Sequence, residues 1–500
     1  MHPVALPIAR GDSVASAAPV TATTVAPPGA KTFYIESYGC QMNEYDASFI
    51  SATLKREGYA PVDAAEAADL ILLNTCAVRD HAEERVLGRI GELRRIKDRR
   101  PGAVLAVAGC MAQRMGRAIA DRAAHVDLVL GTDSYRRLPD LLSRLDGDCG
   151  DEPDRVGRAL IDIEVSATLV YGGAAEMSSF GRAFVSIMQG CNSFCTFCIV
   201  PLVRGRERSK SHDEIISEVR ALQEQGAREV TLLGQKVNAY RWGSDGPALA
   251  SATDFDFADL LRRIDREAPV PRVRFTSSHP RHFTSRLLDA MADCESVCEN
   301  LHLPVQSGSL PVLRRMRRLY TPSWYLDTVS RARERIPGLG LSTDIIVGFP
   351  GETDADFEAT LTLMEAAAFD SSFLFKYSPR PETRAFDHGD TVPEPVKSER
   401  LERALTLQKR LAERRNRALL GRRESVLIES ANARDPGTWL GRLRSNKSIV
   451  LVSERPLRPG DFAVAEITAC RGAGLLGAVT GEEPRERAAA PLPDPEEVAS

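Results

Sequence analysis

Short apolar runs recur along the chain, and the stretches between them carry apolar residues at helical spacing. In the first third, 32–36, 69–74, 103–108 and 126–130 read as buried strands, and 44–57, 81–99 and 112–124 as helices. Strands apolar on both faces that alternate with helices predict a parallel sheet covered on both sides. A polar, Gly- and Asp-rich stretch at 146–155 then predicts a boundary. Beyond it, 184–188, 230–233, 273–277, 301–305, 343–347 and 373–377 read as six more strands, with helices between them at 212–225, 257–267 and 354–367 among others. Six β-α units predict a partial or complete barrel with its chemistry at the carboxyl ends of the strands. Residues 396–423 place Leu401, Leu405, Leu411 and Leu419 at roughly helical spacing. From 424 to 480, β-type runs alternate with turns such as Asp435-Pro436-Gly437 and Arg458-Pro459-Gly460, the pattern of a small five-stranded β-barrel.

Composition narrows the class. At about 100–200 residues per domain, 500 residues make two to four domains. With 43% hydrophobic and 27% charged residues the chain is neither wholly disordered nor fibrous. No run approaches the roughly eighteen apolar residues of a membrane span, so no membrane role is expected. Lys+Arg 65 against Asp+Glu 69 gives −4, so any nucleic-acid surface must be local. One local excess exists: in 396–423 ten Lys and Arg, Arg414 and Arg415 among them, face three Glu, a balance of +7. Residues 1–30, rich in Ala, Pro, Thr and Val, lack a secretory pattern and read as a disordered extension, as does the tail 482–500. A cytoplasmic location follows, where thiols stay reduced. Ten cysteines are too few for a disulfide scaffold, and they are clustered.

The sharpest cluster is Gly190-Cys191-Asn192-Ser193-Phe194-Cys195-Thr196-Phe197-Cys198. Three thiols at C-x3-C-x2-C, just after a strand, can converge on one metal centre. A structural zinc wants a fourth protein ligand, which Cys149 or a distant His could supply. A four-iron cluster can be held by three thiolates with one iron left open. Inert buried cysteines are the remaining reading. Cys40, Cys76 and Cys110 are dispersed, but each follows a predicted parallel strand and precedes a helix. Carboxyl ends of parallel strands share one edge, where open α/β sheets bind ligands, so these thiols form a second metal centre or are unrelated turn residues.

The C-x3-C-x2-C motif with Phe197 before its last cysteine resembles the radical S-adenosylmethionine superfamily. Ser37-Tyr38-Gly39-Cys40-Gln41-Met42-Asn43, Leu73-Asn74-Thr75-Cys76-Ala77-Val78-Arg79 and Gly109-Cys110-Met111-Ala112-Gln113 are similar to the amino-terminal domain of its methylthiotransferases. The carboxyl-terminal barrel resembles that family's RNA-binding TRAM domain. The resemblance implies two [4Fe-4S] clusters, one on Cys40, Cys76 and Cys110 and one on Cys191, Cys195 and Cys198, the latter binding S-adenosylmethionine with Phe197 near its adenine. It also implies a one-electron reductant such as flavodoxin or ferredoxin. Arg204-Gly205-Arg206-Glu207-Arg208-Ser209, Leu303-Pro304-Val305-Gln306-Ser307-Gly308-Ser309 and Tyr377-Ser378-Pro379-Arg380 look most like the subgroup acting on N6-isopentenyladenosine beside the tRNA anticodon. Other subgroups act on threonylcarbamoyladenosine or on a ribosomal-protein aspartate. Lys236 and Leu202-Val203 depart from that subgroup's pattern. A non-enzymatic iron–sulfur RNA-binding protein is the rival of another class.

The expected architecture is thus α/β. It has a Rossmann-like parallel-sheet domain at 31–147, a partial (β/α)6 radical SAM barrel at 178–411 and a small β-barrel at 412–481. Gly234 and Gln235, Gly348 and Gly351, and Ser277 and Gln306 stand at strand ends as candidate cofactor contacts, each with a plain turn role as the alternative. Arg204, Arg206, Arg414, Arg415, Arg442, Arg444 and Lys447 are candidate RNA contacts, against a solvated basic face. His279, His282 and His302 show no metal-ligand spacing. Cys294 and Cys298 read as ordinary thiols, and Cys149 and Cys470 are unassigned.

Overall fold

The computed structural model describes residues 29–77, 80–146, 155–157, 159–166, 176–178, 180–243, 255–484 and 486. Cys149 and nearly all of both expected disordered ends lie outside the described residues.

The amino-terminal sheet has seven strands. Its order is Ala60–Pro61, Thr32–Ser37, Leu70–Thr75, Val104–Gly109, Leu128–Leu130, Ala159–Asp162 and Arg155–Val156, parallel except for the last pair. Every residue of Leu70–Thr75 is buried, because helices cover both faces of this central strand. The sheet reaches Asp162, past the boundary expected at 147. The run Ala159–Asp162 is too short to read as a strand alone, and its parallel pairing with Leu128–Leu130 makes it one. The order reverses between Thr32–Ser37 and Leu70–Thr75, which defines a topological switch point at their carboxyl ends.

The six expected barrel strands are present in chain order. Arg182–Ser186, Glu229–Leu233 and Arg272–Phe275 form one parallel sheet, and Asn300–His302, Gly340–Val347 and Ser371–Lys376 form another. An isolated bridge, Val273 to Val297, brings the third strand to the segment just before the fourth, and among the described residues the first and last strands do not pair. Helix Glu394–Arg417 packs on the last strand through Ala404, Leu407 and Leu411. It runs through the domain boundary expected at 411–412, so barrel and carboxyl-terminal module share one continuous helix.

The closed five-stranded barrel runs Arg423–Ala431, Thr438–Leu443, Ser448–Val452, Gly474–Val479 and Phe462–Arg471 around Val426, Ile428, Leu451, Ala465 and Leu475. It docks on the amino ends of the open barrel's strands. Arg272 donates to the carbonyls of Ser425 and Arg442, and Arg274 to those of Leu443 and Arg444. Among the described residues no helix is long and apolar enough to cross a membrane.

Candidate iron–sulfur active site

Two glycine turns let the first cysteine triad assemble at the switch point. Gly39 has φ +138 and a Cβ there would stand 2.6 Å from Cβ of Cys76; Gly109 has φ +98 and a Cβ would stand 2.4 Å from the Thr75 carbonyl. Neither turn admits a side chain. Cys40 caps helix Gln41–Arg56 and Cys110 opens helix Cys110–Met115. Asn43 ties the edge together, donating to Asn74 Oδ1 at 3.2 Å and to the Thr75 carbonyl at 3.0 Å. A hydrogen bond with Cys76 and the charge of Arg204 hold the Cys40 thiol below its ordinary range. Burial pushes the Cys110 thiol up, although Arg204 opposes it. Arg204 Nε donates to Cys110 Sγ at 3.3 Å, and its Nη2 stands 2.6 Å from Asp46 Oδ2.

The second triad sits in the loop after the first barrel strand. Gly190, at φ +79, donates its amide to Gln235 Oε1 at 2.5 Å. Residues 204–208 strap the loop. The Cys191 amide donates to the Gly205 carbonyl at 3.2 Å, the Glu207 amide to Asn192 Oδ1 at 3.2 Å, and the Arg206 guanidinium lies 4.4 Å over the Phe194 ring. Lys236 Nζ stands 2.8 Å from Glu207 Oε2. Arg318 Nη1 donates to Cys195 Sγ at 3.4 Å, while its other nitrogens hold Tyr320 Oη and the Pro304 carbonyl. Burial, with Cys195 and Cys191 alongside, pushes the Cys198 thiol up to about 12.

Three thiols in one short loop, with Arg318 beside Cys195, suit a cationic centre that takes them as thiolates. Among the described residues no three His, Cys, Asp or Glu side chains enclose a single ion. Three thiolates can hold a four-iron core with one iron left open. The two triads adjoin: Ala77, after Cys76, and Cys110 pack with Ile199, after Cys198, and with Val203. A cavity of about 80 Å³ opens beside them, lined by Ala77, Ile199, Arg114, Pro379, Arg380 and Pro381. Arg380 reaches across it to the Ala77 carbonyl.

The other candidates separate. Phe197 meets Phe349 edge-on at 6.4 Å, and Phe349 meets Tyr377 at 5.3 Å. Gly234 packs where a Cβ would stand 2.5 Å from Met188 Cγ. Ser277 and Gln306 hold left-handed backbone, at φ 60 and 69, just past strand ends, and such strain concentrates at functional sites. Gly348 and Gly351 are committed to the turn: their amides donate to Glu352 Oε2 at 2.5 Å and to Thr391 Oγ1 at 2.7 Å.

The RNA candidates divide by exposure and pairing, and burial corrects the expectation for Arg204. Arg204 is buried against Asp46 and Cys110 and faces no solvent. Arg415 and Lys447 pair with Asp370, Arg442 with Glu429, and Arg444 with Glu299 and Glu486. Within the +7 segment, Lys397, Arg400 and Arg403 likewise meet Asp390, Glu352 and Glu358. Arg206 and Arg414 are exposed. Sequence reading missed Asp46 and Arg318, which carry no motif and reach the thiols' neighbourhood only through the fold.

Residues 32–131 match the model described as uncharacterized protein family UPF0004, and residues 185–364 that of the radical SAM superfamily. A tRNA-2-methylthio-N(6)-dimethylallyladenosine synthase of Bacteroides fragilis is 40% identical over 451 residues, covering 89% of this chain and 95% of that protein. One from Moorella thermoacetica is 43% identical over 431 residues, 85% and 94% of the two chains. A solved structure of the radical S-adenosylmethionine methyltransferase TsrM from Kitasatospora setae, with cobalamin and a [4Fe-4S] cluster bound, matches with a TM-score of 0.52. At 15% identity over 71% of this chain and 74% of that one, it shows a shared fold. Similarity that runs through both cysteine-bearing domains and nearly the full length of these relatives makes this chain a member of the tRNA-2-methylthio-N(6)-dimethylallyladenosine synthase family of radical SAM methylthiotransferases.

Proposed function

We propose that the chain is an enzyme converting N6-isopentenyladenosine at tRNA position 37, beside the anticodon, to its 2-methylthio derivative. The observation that carries this reading is the adjacency of two thiol triads, through Ala77, Cys110, Ile199 and Val203, in a member of this family. Cys40, Cys76 and Cys110 would hold one [4Fe-4S] cluster, and Cys191, Cys195 and Cys198 a second that binds S-adenosylmethionine. When bound, these groups supply the radical and sulfur chemistry that an unactivated carbon-2 C–H bond requires and no side-chain acid or base can provide.

The chain's own residues work by position. Arg204 and Arg318 each steady one thiol of a triad. Gln235 fixes the start of the second cysteine loop, and the 204–208 strap fixes its flank. A loop base can be splayed out and stacked in a pocket at modest cost, and Arg206 and Arg414 are placed to meet backbone phosphates. The closed barrel is the RNA-binding module, the electron comes from a flavodoxin or ferredoxin, and the reaction runs in the cytoplasm.

Mass spectrometry of tRNA nucleosides from a deletion strain tests this. Methylthio-isopentenyladenosine should vanish, unmethylthiolated isopentenyladenosine should accumulate, and the gene should restore the product. Loss instead of a methylthio-threonylcarbamoyl nucleoside, or of the ribosomal-protein modification, would overturn the substrate assignment.

A further inference from the structure

Among the described residues, the strands Asn300–His302, Gly340–Val347 and Ser371–Lys376 have one face that is only partly covered. Register defines it: Asp344 and Ile346 pair with Phe373 and Phe375, and His302 with Ser342, while alternate residues of a strand share a face. On the opposite face Leu341, Thr343, Ile345 and Val347 are fully buried. Phe373 and Phe375, two residues apart on one strand, are 49% and 38% exposed. Neighbouring exposed aromatics on the last strand of an open barrel call for an occupant.

The surroundings limit what that occupant is. The His302 ring meets Phe373 edge-on at 5.9 Å. His302 Nδ1 stands 3.0 Å from Ser342 Oγ and its Nε2 stands 3.4 Å from Asp344 Oδ1. The strip therefore offers two flat apolar surfaces with a carboxylate beside them. Towards the carboxyl ends of the strands Ile346 packs against the cluster that contains Phe349 and Tyr377, and Phe197 of the cysteine loop packs against the same cluster. The carboxyl end of the strip thus borders the cluster on which Phe197, the residue before Cys198, is packed.

We propose that this strip seats the target base, with Phe373 and Phe375 taking the adenine ring and its apolar five-carbon N6 substituent, and Asp344 facing the polar edge. The inference rests on the substrate reading above and deepens it. Aromatic faces stack any base. Discrimination comes from charge and polarity: an apolar N6 group suits the phenylalanines, whereas the carboxylate of a threonylcarbamoyl group would stand near that of Asp344.

Binding of reconstituted enzyme to anticodon stem-loops tests it, with adenosine 37 plain, isopentenylated or threonylcarbamoylated. Wild type should prefer the isopentenylated stem-loop. Phe373→Ala and Phe375→Ala should each weaken that complex about tenfold, the plain stem-loop should change little, and Phe375→Leu should recover part of the loss. Iron content and thermal midpoint, read on every variant, establish that both centres and the fold are intact. Absence of an isopentenyl preference in wild type would overturn the substrate reading itself. A preference present in wild type but unmoved in the double alanine variant would overturn the strip alone.

Discussion

At the residue scale, the six cysteines that matter are legible as letters, but what sets their environment is not. Cys40, Cys76 and Cys110 can be picked out because each follows an apolar run and precedes a helix. Asp46 could not be connected to them: its partner Arg204 lies 158 residues away in the chain, and only folding brings the pair beside Cys110. Both members are buried, at 0% and 3% side-chain exposure. Arg204→Leu strands a carboxylate and should cost about 3–5 kcal/mol, whereas Arg204→Leu with Asp46→Asn should recover much of it; thermal unfolding of the full chain reads the difference. Equal loss in both would show that the pair is not what holds the two domains there. On the proposed reading the cysteines divide by role. Replacing Cys191, Cys195 or Cys198 with Ala should abolish 5′-deoxyadenosine formation, and replacing Cys40, Cys76 or Cys110 should stop methylthiolation while some cofactor cleavage persists. Quantifying both products in the same anaerobic assay separates the sets.

At the element scale, hydrophobic periodicity located all six barrel strands within a few residues and the five-stranded barrel as a whole. Its failures have physical causes. Ala159–Asp162 is apolar over too few residues to announce a strand, and gains its identity from the strand beside it. The basic run 396–423, most of it in helix Glu394–Arg417, reads as an RNA grip or a solvated face because its counter-charges, Glu352, Asp354, Glu358 and Asp370, belong to other elements. A one-dimensional charge balance cannot see them. The consequence is measurable along that helix. Arg414→Ala should lower the salt dependence of RNA binding by about one unit of log–log slope, as expected for one lost phosphate contact. Arg415→Ala should leave the slope unchanged and reduce stability, since its guanidinium is spent on Asp370 and the Leu339 carbonyl.

At the scale of the whole molecule, the joint between the open and closed barrels is a buried polar clasp. Arg274 Nε meets Glu229 Oε2 at 2.6 Å, with both side chains no more than 5% exposed. Burial works to raise the Glu229 carboxyl, but Arg274 and Arg272 overcome it and hold the carboxyl below its usual range. A carboxyl depressed by folding contributes stability that is present above its unfolded pKa and is lost as pH falls through its folded one. Glu229 steadies the Arg274 guanidinium that donates to the closed barrel's Leu443 and Arg444 carbonyls, so the closed barrel should loosen under acid conditions, below the ordinary carboxylate range, and stay docked at neutral pH. Limited proteolysis across a pH series checks this through cleavage near the end of helix Glu394–Arg417, and Arg274→Ala should produce the same cleavage at neutral pH.

The closed barrel docks where the open barrel's strands begin, and the thiols stand where those strands end. A strand of about six residues separates the two levels by roughly 20 Å, close to the width of a nucleic-acid duplex. With the closed barrel as the RNA grip proposed above, an RNA it holds would offer to the thiols only what stands one barrel height away. On that reading the molecule would act as a ruler, in which the interval between grip and target helps decide which nucleotide is brought to the chemistry.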